Sequence, residues 1–199
     1  MRSKEWLRRH VADSYVRQAK AQGYRSRSAF KLLQIDAKEK ILKPGQLVVD
    51  LGAAPGGWSQ VAADRVKPAG RVIAIDLLPI APISGVAVLK GDFRSENLNH
   101  ALGDAKADVV LSDLSPNLSG IGNVDQTRAL ELITAAIDFC CKVLKPEGVF
   151  VLKAFHGQAF DEVLQRLRRT FEKVKVVKPL ASRGESAETY VVARGVGAL

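Results

Sequence analysis

Residues 48–60 read VVDLGAAPGGWSQ: an apolar run with one acid enters a turn holding Gly52, Gly56 and Gly57, and Trp58 follows. Glycine lets a turn take up left-handed backbone and lets the chain approach a ligand closely. A buried-looking strand leading into such a turn and then a helical stretch is the opening unit of an α/β sheet. The same rhythm continues outward. Short β-branched runs predict strands at Gln46–Leu51, Arg71–Asp76, Val86–Leu89, Asp108–Ser112, Gly148–Lys153, Val174–Lys178 and Thr189–Ala193. Helical periodicity predicts helices at Ser59–Val66, Ser95–Leu102, Gln126–Leu144 and Ala159–Thr170. This alternation calls for parallel strands, right-handed crossovers and helices on both faces of a seven-stranded sheet. The gap between Lys178 and Thr189 has no room for a helix. The last two strands are therefore expected to form a hairpin, with the final strand antiparallel.

The chain of 199 residues suits one domain with a sizeable core, and an apolar share of 47% excludes a disordered protein. Residues 1–43 read as two basic helices, so the expected organisation is a single domain over 1–199 with 1–43 as a basic N-terminal helical extension. The only cysteines, Cys140 and Cys141, are adjacent and fall on the apolar stripe of a helix with Leu130, Ile133, Ala136 and Ile137. They offer neither a disulfide framework nor a zinc spacing, which fits a reducing compartment. His10, His100 and His156 are scattered, so no histidine metal site is expected. No apolar run approaches membrane-spanning length. The net charge is +9, and residues 1–31 hold nine Lys or Arg against Glu5 and Asp13. A basic arm on a nearly balanced body points to a polyanion, while a solvated basic helix or a mitochondrial presequence remain open readings of the same charges.

In an open parallel sheet, ligands sit beyond the carboxyl ends of the strands, where the glycine turn lies. The dinucleotide fingerprint G-x-G-x-x-G fails here: Gly52 and Gly57 match its first and third glycines, but Ala54 replaces the second and Pro55 removes an N–H. The turn suits a close ligand without a diphosphate, and S-adenosylmethionine, a nucleoside joined to an amino acid through a sulfonium, is such a ligand. Asp76 ends the second strand, where a carboxylate accepts from both ribose hydroxyls. Asp92, in the turn KGDF, either takes an exocyclic adenine N–H or only forms its turn. Trp58 either walls the pocket or packs in the core.

Three more charges gather at the same edge. Asp113 follows the fourth strand, Lys153 ends the fifth after four apolar residues, and Glu188 precedes the antiparallel strand, whose start lies at that rim. A lysine closing a buried strand needs a partner, a route to solvent or a task. Chance would scatter Asp76, Asp92, Asp113, Lys153 and Glu188 over both rims, so their common location favours a site.

The stretches RSRSAFKL, VVDLGAAPGGWSQ, DLLP, GDFR, LSDLSPNLSG, FVLKAF and ETYVVA follow one another in this order. Together they closely resemble the FtsJ/RrmJ family of bacterial ribosomal RNA large-subunit methyltransferases, from about Trp6 to Ala193. The resemblance implies a Rossmann-like S-adenosylmethionine-dependent methyltransferase fold. It implies methylation of a uridine ribose 2′-hydroxyl in 23S rRNA of the large ribosomal subunit, by a cytoplasmic monomer with no membrane partner. S-adenosylmethionine is the implied methyl donor, and no metal is implied. It further implies a catalytic set of Lys31, Asp113, Lys153 and Glu188, with Gly56, Trp58, Asp76, Asp92 and Asp113 at the cofactor. Because Lys31 is then required, a cleaved presequence is disfavoured. Rival readings are methylation of transfer RNA or a messenger RNA cap, an NAD-dependent enzyme, and a non-catalytic RNA-binding protein with a nucleoside pocket. In the implied reaction the ribose oxygen attacks the methyl carbon in line with the leaving sulfur, and alignment alone is worth on the order of 7–11 kcal/mol at the favourable limit. Lys153 then handles the hydroxyl proton, either as a neutral base or as a charged stabiliser of the oxyanion.

Overall fold

The structure is a computed structural model that describes residues 13–115, 122–157, 159–182 and 186–197. Residues 1–12 of the basic arm, with Trp6, and residues 116–121, which include the second half of the LSDLSPNLSG stretch, lie outside the described residues. In chain order the elements are α1 (Ser14–Ala21), α2 (Ser28–Glu39), β1 (Leu47–Leu51), α3 (Gly57–Val66), β2 (Arg71–Asp76), β3 (Val86–Lys90) and α4 (Glu96–Leu102). They continue with β4 (Ala107–Ser112), α5 (Gly122–Val143), β5 (Leu144–Phe155), α6 (Phe160–Thr170), β6 (Phe171–Val177) and β7 (Glu188–Val196).

The seven strands form one sheet in the order β3-β2-β1-β4-β5-β7-β6. β1 to β5 pair in parallel, while β7 runs antiparallel to both β5 and β6. The expected hairpin is present, and β7 inserts between β5 and β6. β5 begins earlier than the apolar run at Gly148 suggests. Leu144 pairs with Ala107, and the register then shifts before Val149 pairs with Val109. The shift accommodates Pro146, which has no ladder N–H to give.

Alternation along the strands divides the core into two layers. Val49, Leu51, Val110, Phe150 and Leu152 face α4, α5 and α6, where Cys140 is fully buried. Val48, Val109, Leu111, Val151 and Val192 face α2 and α3. The basic N-terminal segment therefore supplies core. Ala29, Leu32 and Ile35 of α2 are fully buried against this second face. Asp36 ends α2 by accepting the Ile41 and Leu42 N–H groups at 3.1 and 2.9 Å, which fixes the helix over the sheet.

Candidate active site

Strand periodicity and register place the charged residues before any side chain is considered. Lys153 is opposite Tyr190 and Phe155 is opposite Glu188 across the β5–β7 pair. Tyr190 packs in the layer facing α2, so Lys153 and Glu188 point to that side as well. Asp113 has the parity of Val109 and Leu111, which face the same way. α2 lies over this face and brings Lys31.

The result is two ion pairs side by side. The Lys31 ammonium lies 2.6 and 2.8 Å from the two Glu188 carboxylate oxygens, and Ser182 donates its hydroxyl to one of them at 2.9 Å. Burial opposes the charge on Glu188, but the Lys31 hydrogen bond and charge, Ser182 and the nearby Lys153 outweigh it and hold the carboxyl below its usual range. The Lys153 ammonium donates to the Asp113 backbone carbonyl at 2.8 Å and pairs with its carboxylate at 3.1 Å. Tyr190 donates its phenol to the same carboxylate at 3.1 Å, and burial followed by the charges of Asp113 and Glu188 pushes that phenol up, so it stays neutral. Lys153 is 7% exposed, so its charge rests on these partners. An ammonium has three N–H groups, which leaves one for a further acceptor.

Asp113 also borders a cleft of about 400 Å³ at the ends of β1, β2 and β4, together with Gly52, Ala54, Asp76, Leu78 and Asp92. The volume lies in the range of small-molecule sites. Gly52 has φ +71°, a left-handed conformation that favours glycine, and a Cβ there would sit 2.7 Å from the Leu114 side chain, which would have to move. Asp76 accepts the Ala54 and Leu78 N–H groups at 2.9 and 2.8 Å, one on each oxygen. Each carboxylate oxygen keeps a further lone pair for a ligand hydroxyl. Asp92 accepts the Arg94 N–H at 2.9 Å and pairs with its guanidinium; these hydrogen bonds hold the carboxyl below its usual range. Asp92 thus forms its own turn and also borders the cleft.

Gly56 and Trp58 sit behind the cleft wall. Gly56 has φ +112°, and a Cβ there would lie 2.6 Å from Ile83 and 3.2 Å from the Arg25 guanidinium. The Trp58 ring is buried 5.6 Å from the Tyr190 ring, and its indole N–H donates to the Ser28 carbonyl at 2.8 Å. Its side chain belongs to the core under the tetrad, and the turn backbone is what faces the cleft.

Four participants were not singled out in the sequence. Tyr190 and Ser182 join the ion pairs, and Arg25 joins the turn. Asp50 lies fully buried beneath the turn, with one oxygen accepting from the Ser59 hydroxyl at 2.6 Å and the other without a partner among the described residues. Burial pushes its carboxyl up to about 7 against the Ser59 hydrogen bond, with Asp113 and Asp76 adding to the rise. A lone acid inside an apolar strand was the available signal for Asp50; the TY pair within ETYVVA was the signal for Tyr190.

An acidic cleft beside a glycine turn, with no diphosphate cradle, fits a cationic nucleoside–amino acid. Comparison with known proteins agrees. The FtsJ-like methyltransferase family matches residues 24–196. A protein of Marinobacter nauticus named ribosomal RNA large subunit methyltransferase E is 49% identical, covering 97% of this chain and 95% of that one. Its namesake in Nitrosospira multiformis is 50% identical, covering 97% and 96%. Among solved structures, a Plasmodium falciparum protein named as a ribosomal RNA methyltransferase superposes with a TM-score of 0.78 at 29% identity, over 87% of this chain and 98% of that one. A Streptococcus mutans methyltransferase in complex with S-adenosylhomocysteine shares the fold alone, at a TM-score of 0.54 and 13% identity over 84% of this chain and 95% of that one. Matched by the family model over residues 24–196, most of its length, the protein belongs to the FtsJ-like methyltransferase family.

Proposed function

We propose that this methyltransferase acts on a uridine ribose 2′-hydroxyl of 23S rRNA in the large ribosomal subunit, as a cytoplasmic monomer. The supporting observation is the Lys153–Asp113 pair bordering the cleft, with the Lys31–Glu188 pair beside it. The near-full-length relatives named as large-subunit methyltransferases support the choice of RNA. When bound in the cleft, S-adenosylmethionine supplies a methyl group already activated on a sulfonium.

The chain's own residues do the rest. Asp76 holds the ribose of the nucleoside and Asp92 its base edge, while the backbone around Gly56 and Trp58 shapes the turn. Asp113 fixes Lys153 through two contacts, so the third position on the Lys153 nitrogen, an N–H when charged or a lone pair when neutral, is left for the incoming 2′-oxygen. Lys31 and Glu188 flank that position and set the local charge. Two modes are open to Lys153, and a pH profile separates them. A neutral base gives kcat rising with pH as the lysine deprotonates, whereas a charged stabiliser gives kcat falling over the same range.

The deciding experiment incubates the purified protein and labelled S-adenosylmethionine with large subunits, free rRNA, transfer RNA and capped RNA from cells lacking the activity. Label on one 23S uridine ribose supports the proposal. Label confined to transfer RNA or the cap would falsify the substrate, and absence of S-adenosylmethionine binding removes the cofactor.

A further inference from the structure

Arg25 lies between α1 and α2, outside the cleft and outside the tetrad. Its guanidinium makes three hydrogen bonds to two separate loops. One nitrogen donates to the Ala81 carbonyl at 2.6 Å and to the Pro55 carbonyl at 3.2 Å, and the other donates to the Pro82 carbonyl at 2.6 Å. Pro55 belongs to the glycine turn, while Ala81 and Pro82 belong to the loop that leaves β2 and contributes Leu77 and Leu78 to the cleft. The backbone of Arg25 is itself anchored, its N–H donating to the Gln60 amide oxygen on α3 at 2.9 Å.

The chemistry explains why an arginine is there. Both loops carry prolines, AAPGG in one and LPIAPI in the other, and a proline has no N–H for a ladder. Their carbonyls need donors from elsewhere. A guanidinium offers five N–H groups in one rigid plane and can bridge three carbonyls at once. At the inner end the two loops are already tied through Asp76, which accepts from Ala54 of one and Leu78 of the other. Arg25 closes the outer end, and Gly56 leaves just the room its guanidinium and Ile83 occupy. The residue that does this sits six positions before Lys31, on the segment that supplies the tetrad's first lysine.

We propose that Arg25 is a positioning residue for the cofactor, holding the glycine turn and the 77–85 loop at the separation that the cleft requires. Three of its five N–H groups go to protein carbonyls of the two loops. The proposal rests on the reading of the cleft as the S-adenosylmethionine site. It is tested on the full chain with Arg25→Met and Arg25→Lys, measuring S-adenosylmethionine affinity by calorimetry, rRNA affinity, melting temperature, and KM and kcat separately. The expected result for Arg25→Met is a Kd and KM for S-adenosylmethionine raised about tenfold, with rRNA affinity and kcat at saturation within about twofold. Lysine keeps the charge but not the planar fork, so Arg25→Lys recovers part of the loss. If Arg25→Met melts below the assay temperature, Arg25→Lys decides: a rise of about threefold in Kd with unchanged rRNA affinity supports the proposal. Unchanged cofactor affinity in both variants overturns it, as does a loss confined to rRNA affinity, which makes Arg25 a phosphate contact. Failure of the unsubstituted protein to bind S-adenosylmethionine overturns it too, but through the cleft reading, and that outcome is visible before any variant is measured.

Discussion

Lys153 lies near the end of β5 after a run of apolar residues, and its charge is tolerable there because Asp113 meets it through both its backbone carbonyl and its carboxylate. In the proposed mechanism the ammonium is the group nearest the 2′-oxygen, and Asp76 and Asp92, the proposed cofactor contacts, do not depend on it. Lys153→Ala is expected to lower single-turnover methyl transfer by about 10²–10⁴-fold while the calorimetric Kd for S-adenosylmethionine moves less than about twofold. A variant that keeps most of its rate removes Lys153 from the reaction. Asp50 carries a different expectation. Its folded value of about 7 stands above the ordinary 3.8, so between those values the folded protein retains a proton that the unfolded chain has released. Stability from this group therefore falls as pH rises across that window and is level above it, on the order of 4 kcal/mol in all. Asp50→Asn abolishes the titration, so its stability relative to the parent is expected to climb from about pH 4 to 7 in denaturant melts. A difference that is flat in pH refutes the burial argument.

At the level of elements, α2 carries two tasks that the sequence shows only as one basic stretch. Its apolar side, Ala29, Leu32 and Ile35, fills the core over β5 and β7, and Lys31 is thereby delivered to Glu188. α1 differs, because Arg17 and Lys20 are exposed. Leu32→Ala is expected to cost about 2–5 kcal/mol in denaturant unfolding, as large-to-small core changes do. The double change Arg17→Ala and Lys20→Ala is expected to leave stability within about 0.5 kcal/mol. It should weaken rRNA binding and flatten its salt slope by about 1–2. Unchanged salt dependence in that variant would place the RNA away from α1. The hairpin of β6 and β7 shows the same economy: one antiparallel strand puts Tyr190 and Glu188 two residues apart on the tetrad's face.

Across the whole molecule, a net charge of +9, of which +7 falls in the first 31 residues, makes binding to a polyanion chiefly a counterion-release process. Affinity for rRNA is expected to fall on the order of 10³-fold from about 50 to 200 mM salt if six or more phosphates are neutralised, as filter binding would measure. A flat response counts against RNA as the substrate. The alternation of strands and helices, the antiparallel last strand and the edge on which Asp76, Asp113, Lys153 and Glu188 gather were all legible in the chain, because periodicity and chain direction are local properties. The burial of Trp58 was not, since an aromatic opening a helix reads alike as wall or core, and only tertiary packing brings its ring against Tyr190. Nor was the partnering of charges. Lys31 meets Glu188 across 157 positions and Arg25 meets Pro82 across 57, and no local pattern encodes such contacts. The sequence by itself determined the elements, their order and the rim on which the candidate site lies. Which cation faces which acid, and which arginine holds the turn, was decided only when sheet register and the seat of α2 brought distant segments within hydrogen-bond reach.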